Sequence, residues 1–151
     1  MIDLEDDPSA GFTTKPWDSA GIAALEATGR NARSALEAGL RAVLTLAVAP
    51  TPAPGNPGRS APIRGEGDDL ASLFADMVED LLGQIEYFGD GLHEVAVDGV
   101  LRREGGGYVG WGYATGTLEA AAPGEVPRLR NAPTAVEDGG QVLIRAELRR
   151  A

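Results

Sequence analysis

The sequence predicts an α+β fold in which two helices pack on a largely antiparallel β-sheet layer. Two observations carry this reading. The first half of the chain holds two segments with the three- and four-residue apolar spacing of amphipathic helices, and the second half alternates in twos between glycine turns. Helices early and antiparallel strands late belong to one layer class. At 151 residues with 43% hydrophobic residues, the chain suits a single domain burying about two-thirds of its unfolded surface.

Taken in order, residues 1–11 are acidic and polar and read as a flexible N-terminal arm, which leaves one domain over 12–151. The small and apolar run from Gly21 to Thr28, closed by Gly29, reads as a strand. Asn31 then caps a helix, because Ala35, Leu36, Gly39, Leu40, Val43, Leu44 and Ala47 recur on one face. That helix must stop before "APTPAPGNPG" (49–58), a loop whose four prolines remove donors and clash with the preceding turn. The segment "SAPIRGEG" (60–67) reads as a second strand.

The strongest periodic signal follows. Leu70, Leu73, Phe74, Met77, Val78, Leu81, Leu82 and Ile85 form one apolar stripe, with Asp76, Glu79, Asp80 and Gln84 elsewhere on the wheel. Asp68 or Asp69 is placed to accept from the free first-turn N–H groups. Strands are then expected over 92–104, 107–120, 131–138 and 141–150, with "EGGG" and "EDGG" as hairpin turns.

Charge narrows the function. Acids outnumber bases 23 to 13, for a net charge of −10. Autonomous nucleic-acid binding draws most of its affinity from a basic face, so direct binding is not expected. Arg128, Arg130, Arg145, Arg149 and Arg150 give a basic C-terminal edge on an acidic body, which fits a protein partner better than bare RNA. Twelve arginines accompany a single lysine, Lys15. No apolar run spans a membrane, the N-terminus lacks the pattern of a secretory signal, and the chain reads as cytoplasmic. The absence of cysteine excludes thiolate metal sites and cysteine nucleophiles.

Other chemistry is sparse. His93 is the only histidine and reads as structural. In "REGGGYVGWGY" (103–113), Val109, Trp111 and Tyr113 share one strand face while Gly110 and Gly112 take the other. The spacing is not that of a phosphate loop, so aromatics covering a sheet and glycines admitting close packing is the reading. The acids Asp68, Asp69, Asp76, Glu79 and Asp80 read as a solvated helix face. No nucleophile or general base has a visible partner, which points away from an enzyme.

Read as a whole, the order strand, helix, loop, strand, helix and antiparallel strands resembles the archease family from about residue 12 onward. The shape of "DSAGIAALEATG" followed by "NARSALEAGLRAVLTL" is similar to the family's first strand, introduced by an Asp-His-Thr-Ala-Asp type motif and ending in glycine before a helix. "GEGDDLASLFADMVEDLLGQIEY" looks like its second helix, "NAPT" (131–134) like its Lys-Ala-Val-Thr motif, and "EL" at Glu147 and Leu148 like its near-terminal Asp-Ile. The resemblance implies an accessory protein that activates a GTP-dependent tRNA-splicing RNA ligase, promoting guanylylation and turnover. It also implies a divalent cation such as Ca or Mg held by carboxylates, here Asp18 and Glu147, with Arg130, Asn131 and Thr134 as partner or motif positions. An ungapped match sets Asp18 at the first Asp and Ile22 at the metal-binding second Asp, and isoleucine offers no oxygen to a hard cation. The alternative is an archease-fold binding or scaffold protein with a lost metal site and another role.

Overall fold

The computed structural model describes residues 10–48, 57–88, 92–117 and 126–150. The elements are β1 (Gly11–Lys15), β2 (Ile22–Gly29), α1 (Ala32–Ala47), β3 (Pro57–Gly67), α2 (Leu70–Phe88), β4 (Leu92–Arg102), β5 (Tyr108–Thr117), β6 (Arg128–Leu129), β7 (Thr134–Asp138) and β8 (Gln141–Arg149). The class is α+β, as the sequence predicts. The strands do not form one layer, however: they divide into a five-stranded sheet ordered β1-β2-β8-β6, with β7 also on β8, and a three-stranded sheet ordered β3-β5-β4. All pairings are antiparallel. Each helix touches both sheets, so the helices have an apolar layer on two sides.

This placement explains the helix sequences. In α1 the residues Ala35, Leu36, Ala38, Leu40, Ala42, Val43 and Leu44 are all buried, a wider surface than a single stripe provides. Small side chains let it fit between β2 and β4. Gly39 is required where α1 meets α2, because a Cβ there would lie 2.6 Å from the Phe74 ring. Asn31 caps the helix as expected: its side chain accepts from the Ser34 N–H at 2.9 Å, and Ser34 reciprocates in a capping box. In α2 the predicted stripe is fully buried from Leu73 to Ile85, with Leu70 at its margin. Asp69 supplies the first-turn acceptor, 2.8 Å from the Ser72 N–H and 2.7 Å from its hydroxyl, and these bonds lower its pKa.

Several boundaries move. Gly11, assigned to the arm, is the first residue of β1, a strand the sequence did not announce; residues 1–9 of that arm lie outside the described residues. Pro57 and Gly58 of the expected loop belong to β3, while residues 49–56 lie outside the described residues. The expected strand 131–138 begins at Thr134, and β6 is an additional two-residue strand. Both glycine turns are hairpins. In "EDGG", Gly139 and Gly140 take φ of +58° and +81° between the paired residues Asp138 and Gln141, the left-handed backbone that a two-residue hairpin turn needs.

The acids of α2 need a correction. They are not simply a solvated face: Asp80 accepts from the Arg64 N–H and Asp76 from the Glu66 N–H, each at 2.8 Å. Both N–H groups belong to β3, at one edge of the three-stranded sheet. At the other edge, α1 does the same for β4, with Glu37 accepting from the Val97 N–H at 3.3 Å. There Arg33 and Arg41 donate to the carbonyls of Val97 and Val95 at 3.1 and 3.3 Å. Free sheet edges are templates for unwanted pairing, and the helices close these two with charged side chains. Among the described residues no helix is long and apolar enough to cross a membrane.

Candidate functional site

The outer face of the five-stranded sheet carries a polar groove whose position follows from strand register. β2 and β8 turn Ala23, Leu25, Ala27, Ile144, Ala146 and Leu148 toward the helices, so the intervening residues face outward. Lys15 pairs with Ala24 and Ala24 with Glu147, forming one cross-strand row. The next row runs Thr13, Glu26, Arg145, Thr134. Ala24, reduced to a methyl group between longer neighbours, leaves a cavity of about 570 Å³ lined by both rows, with Asn131 and Ala132 as one wall.

That wall exists because β6 and β7 pair with β8 one after the other. The connection at 130–133 lies between them. Arg130 keeps a backbone bond to Glu147, 2.9 Å from N–H to carbonyl. Its guanidinium also reaches the Glu147 carboxylate at 3.0 Å, and the Asn131 amide donates to the same oxygen at 3.4 Å. Arg145 and Glu26 pair at 3.2 Å across β8 and β2. All four charged side chains are 40–62% exposed, a setting in which ion pairs contribute about 0–1 kcal/mol. Their arrangement orders the groove more than it stabilises the fold.

Of the residues singled out in the sequence, Arg130, Asn131, Thr134 and Glu147 come together around this groove. Asp18 does not line it. Asp18 closes a turn instead: its Oδ1 accepts from the N–H groups of Ala20 and Ile22 at 2.8 and 3.0 Å, and its carbonyl accepts from the Gly21 N–H at 3.0 Å. The same corner holds the end of β8, since the Arg150 N–H donates to the Gly21 carbonyl at 2.8 Å and its guanidinium lies 4.5 Å from the Trp17 ring centre. His93 lies apart, on β4, where its buried Nε2 lacks a partner among the described residues. Trp111 and Tyr113 lie on the outer face of the three-stranded sheet, 42% and 40% exposed, while Gly110 takes the inner face, where a Cβ would lie 3.0 Å from Met77 Sδ. Lys15, Glu26 and Arg145 line the groove without having been singled out as site residues; the register of β1, β2 and β8 reveals them.

The donor set does not fit the divalent cation that the family resemblance implies. Asp18 Oδ1 is committed to two backbone donors, Ile22 brings no oxygen, and the Glu147 carboxylate is neutralised by a guanidinium. Hard cations take six or more oxygens for Ca, or a near-octahedral set for Mg. Among the described residues no group of three or more His, Asp or Glu side chains is placed to hold a metal ion.

Comparison with known proteins agrees on architecture. The chain is similar to the solution structure of Methanobacterium thermoautotrophicum protein 1598, with a TM-score of 0.67 over 93% of this chain and 98% of that one. The two share this fold. At 14% sequence identity the likeness is one of fold alone. No protein-family model matches the sequence, and no curated protein matches it.

Proposed function

We propose that the protein is a cytoplasmic, non-catalytic accessory factor, archease-like, that docks on a GTP-dependent tRNA-splicing RNA ligase and promotes its guanylylation and turnover. The observation that carries this reading is the meeting of Arg130 and Asn131 with Glu147. Asn131 and Glu147 stand at positions resembling two separate family motifs, 16 residues apart in sequence, with Arg130 beside the first, and Arg130 and Asn131 share one oxygen of the Glu147 carboxylate. Charge supports a protein partner. Beside the 130–133 connection lies a second groove, lined by Glu66, Asp69, Asp76 and Glu79 together with Leu129 and Pro133. With a net charge of −10, the molecule complements a basic, RNA-handling enzyme and speeds encounter with it.

The test adds the protein to the RNA ligase of the same organism and follows ligase guanylylation and multiple turnover. The reading expects faster guanylylation and more product per ligase. An unchanged rate and no complex by size-exclusion chromatography would overturn it. The poor donor set around Glu147 favours a second reading, an archease-fold binding protein whose metal site is lost and whose role has moved. That reading expects no ligase activation and no change in thermal stability with calcium, magnesium or manganese. A bound ion at 100 times its dissociation constant would stabilise by about 2.7 kcal/mol.

A further inference from the structure

We propose that the groove on the outer face of the five-stranded sheet binds a small phosphorylated polyhydroxy compound, with the phosphate on Lys15. The lining sets Lys15 and Arg145 against Glu26 and Glu147, and Arg130 approaches Glu147 from outside the lining. Arg145 is matched by Glu26 and Arg130 by Glu147, but Lys15 has no ion pair among the described residues. One positive charge is therefore left at a cavity of about 570 Å³, a size typical of small-molecule sites. It is the one lysine among 13 basic residues. An ammonium on a flexible stem, unlike an arginine fork already held by a carboxylate, is free to meet a phosphate as a point charge.

The rest of the lining selects the remainder of the ligand. Thr13 and Thr134 stand at the two ends of the row that holds the Glu26–Arg145 pair, and their hydroxyls donate to no protein group among the described residues. Glu26 and Glu147 repel a second anion, yet each has acceptor capacity left for ligand hydroxyls. A compound with one phosphate and several hydroxyls meets both demands, and a bare dianion meets only the first. Ala24 sets the depth, because it lies opposite both Lys15 and Glu147 and any longer side chain there occupies the cavity.

This inference stands apart from the accessory-protein reading and is tested on the chain alone. Calorimetry and NMR titrations use ribose 5-phosphate, inorganic phosphate and ribose, each to about 10 mM. Ribose 5-phosphate should bind saturably, more tightly than phosphate, with ribose weakest. Reductive ¹³C-methylation gives a single lysine side-chain signal, and that signal should shift on binding. Lys15→Met should weaken binding roughly tenfold or more, and Ala24→Leu should abolish it. Both positions face outward, so thermal unfolding of each variant should stay cooperative. No saturable binding of ribose 5-phosphate overturns the inference, as does binding that neither substitution weakens or binding of phosphate as tight as the sugar phosphate.

Discussion

In the three-stranded sheet, charged side chains are bonded to backbone. Asp76 and Asp80 hold the β3 edge, and Glu37, Arg33 and Arg41 hold the β4 edge. In the five-stranded sheet, charged side chains lie on the outer face and pair with one another around a cavity. The same residue types thus have two uses within one chain. Where a carboxylate satisfies a strand N–H it closes an edge, and replacing it leaves a donor without its partner. Where it pairs with an exposed arginine it contributes little to stability and remains available for recognition.

Emptying the core shared by both sheets has the largest expected effect. Phe74 is fully buried against α1, so Phe74→Ala should cost about 3–5 kcal/mol by denaturant unfolding. Because both sheets lean on that core, fluorescence and circular dichroism should report one coincident transition. Next in size is Asp76→Ala with Asp80→Ala, expected to cost about 2 kcal/mol together. With the β3 edge unsealed, light scattering should also detect self-association, and a variant that remains monomeric would argue against the edge-closing role. Asn31→Ala removes the α1 cap and should cost about 1 kcal/mol. Glu147→Gln should change stability by less than about 0.5 kcal/mol, as an exposed pair on the other sheet requires.

The smallest effect is electrostatic. Asp69 has its pKa lowered below the ordinary 3.8 by the bonds from Ser72. A carboxyl whose folded pKa is depressed stabilises above its unfolded pKa and loses that contribution as pH falls through its folded value. Asp69→Asn should therefore lower stability slightly at neutral pH and converge with the parent in acid, flattening the limb of the stability curve below about pH 4.

Both helices, their caps and the two glycine hairpins were legible because each is encoded locally, by apolar spacing, by Asn31 or Asp69, or by paired glycines. β1 was not legible: "GFTTK" has one large apolar residue and becomes a strand only by pairing with β2. β6, two residues long, has no pattern at all. The division into two sheets was equally hidden, since adjacency of strands in sequence says little about which sheet they join. At the site, Asn131, Thr134 and Glu147 were found through resemblance. Lys15 and Ala24 required knowing the register across three strands. The edge role of Asp76 and Asp80 was concealed for a related reason: their partners are backbone groups 10 and 16 residues away, to which side-chain chemistry gives no clue.

β8 joins β2 to β6 and β7, and its Arg145 meets Glu26 across 119 residues of sequence. On the ribosome, β3, α2, β4 and β5 emerge before it and can assemble the three-stranded sheet, whose pairings are comparatively local. The five-stranded sheet must wait for β8, paying the loop-closure entropy of its long-range contacts late. During synthesis, β2 is left with the open side that β8 will cover, an interval in which a holding chaperone has most to protect. The groove on the sheet's outer face is then among the last features to form.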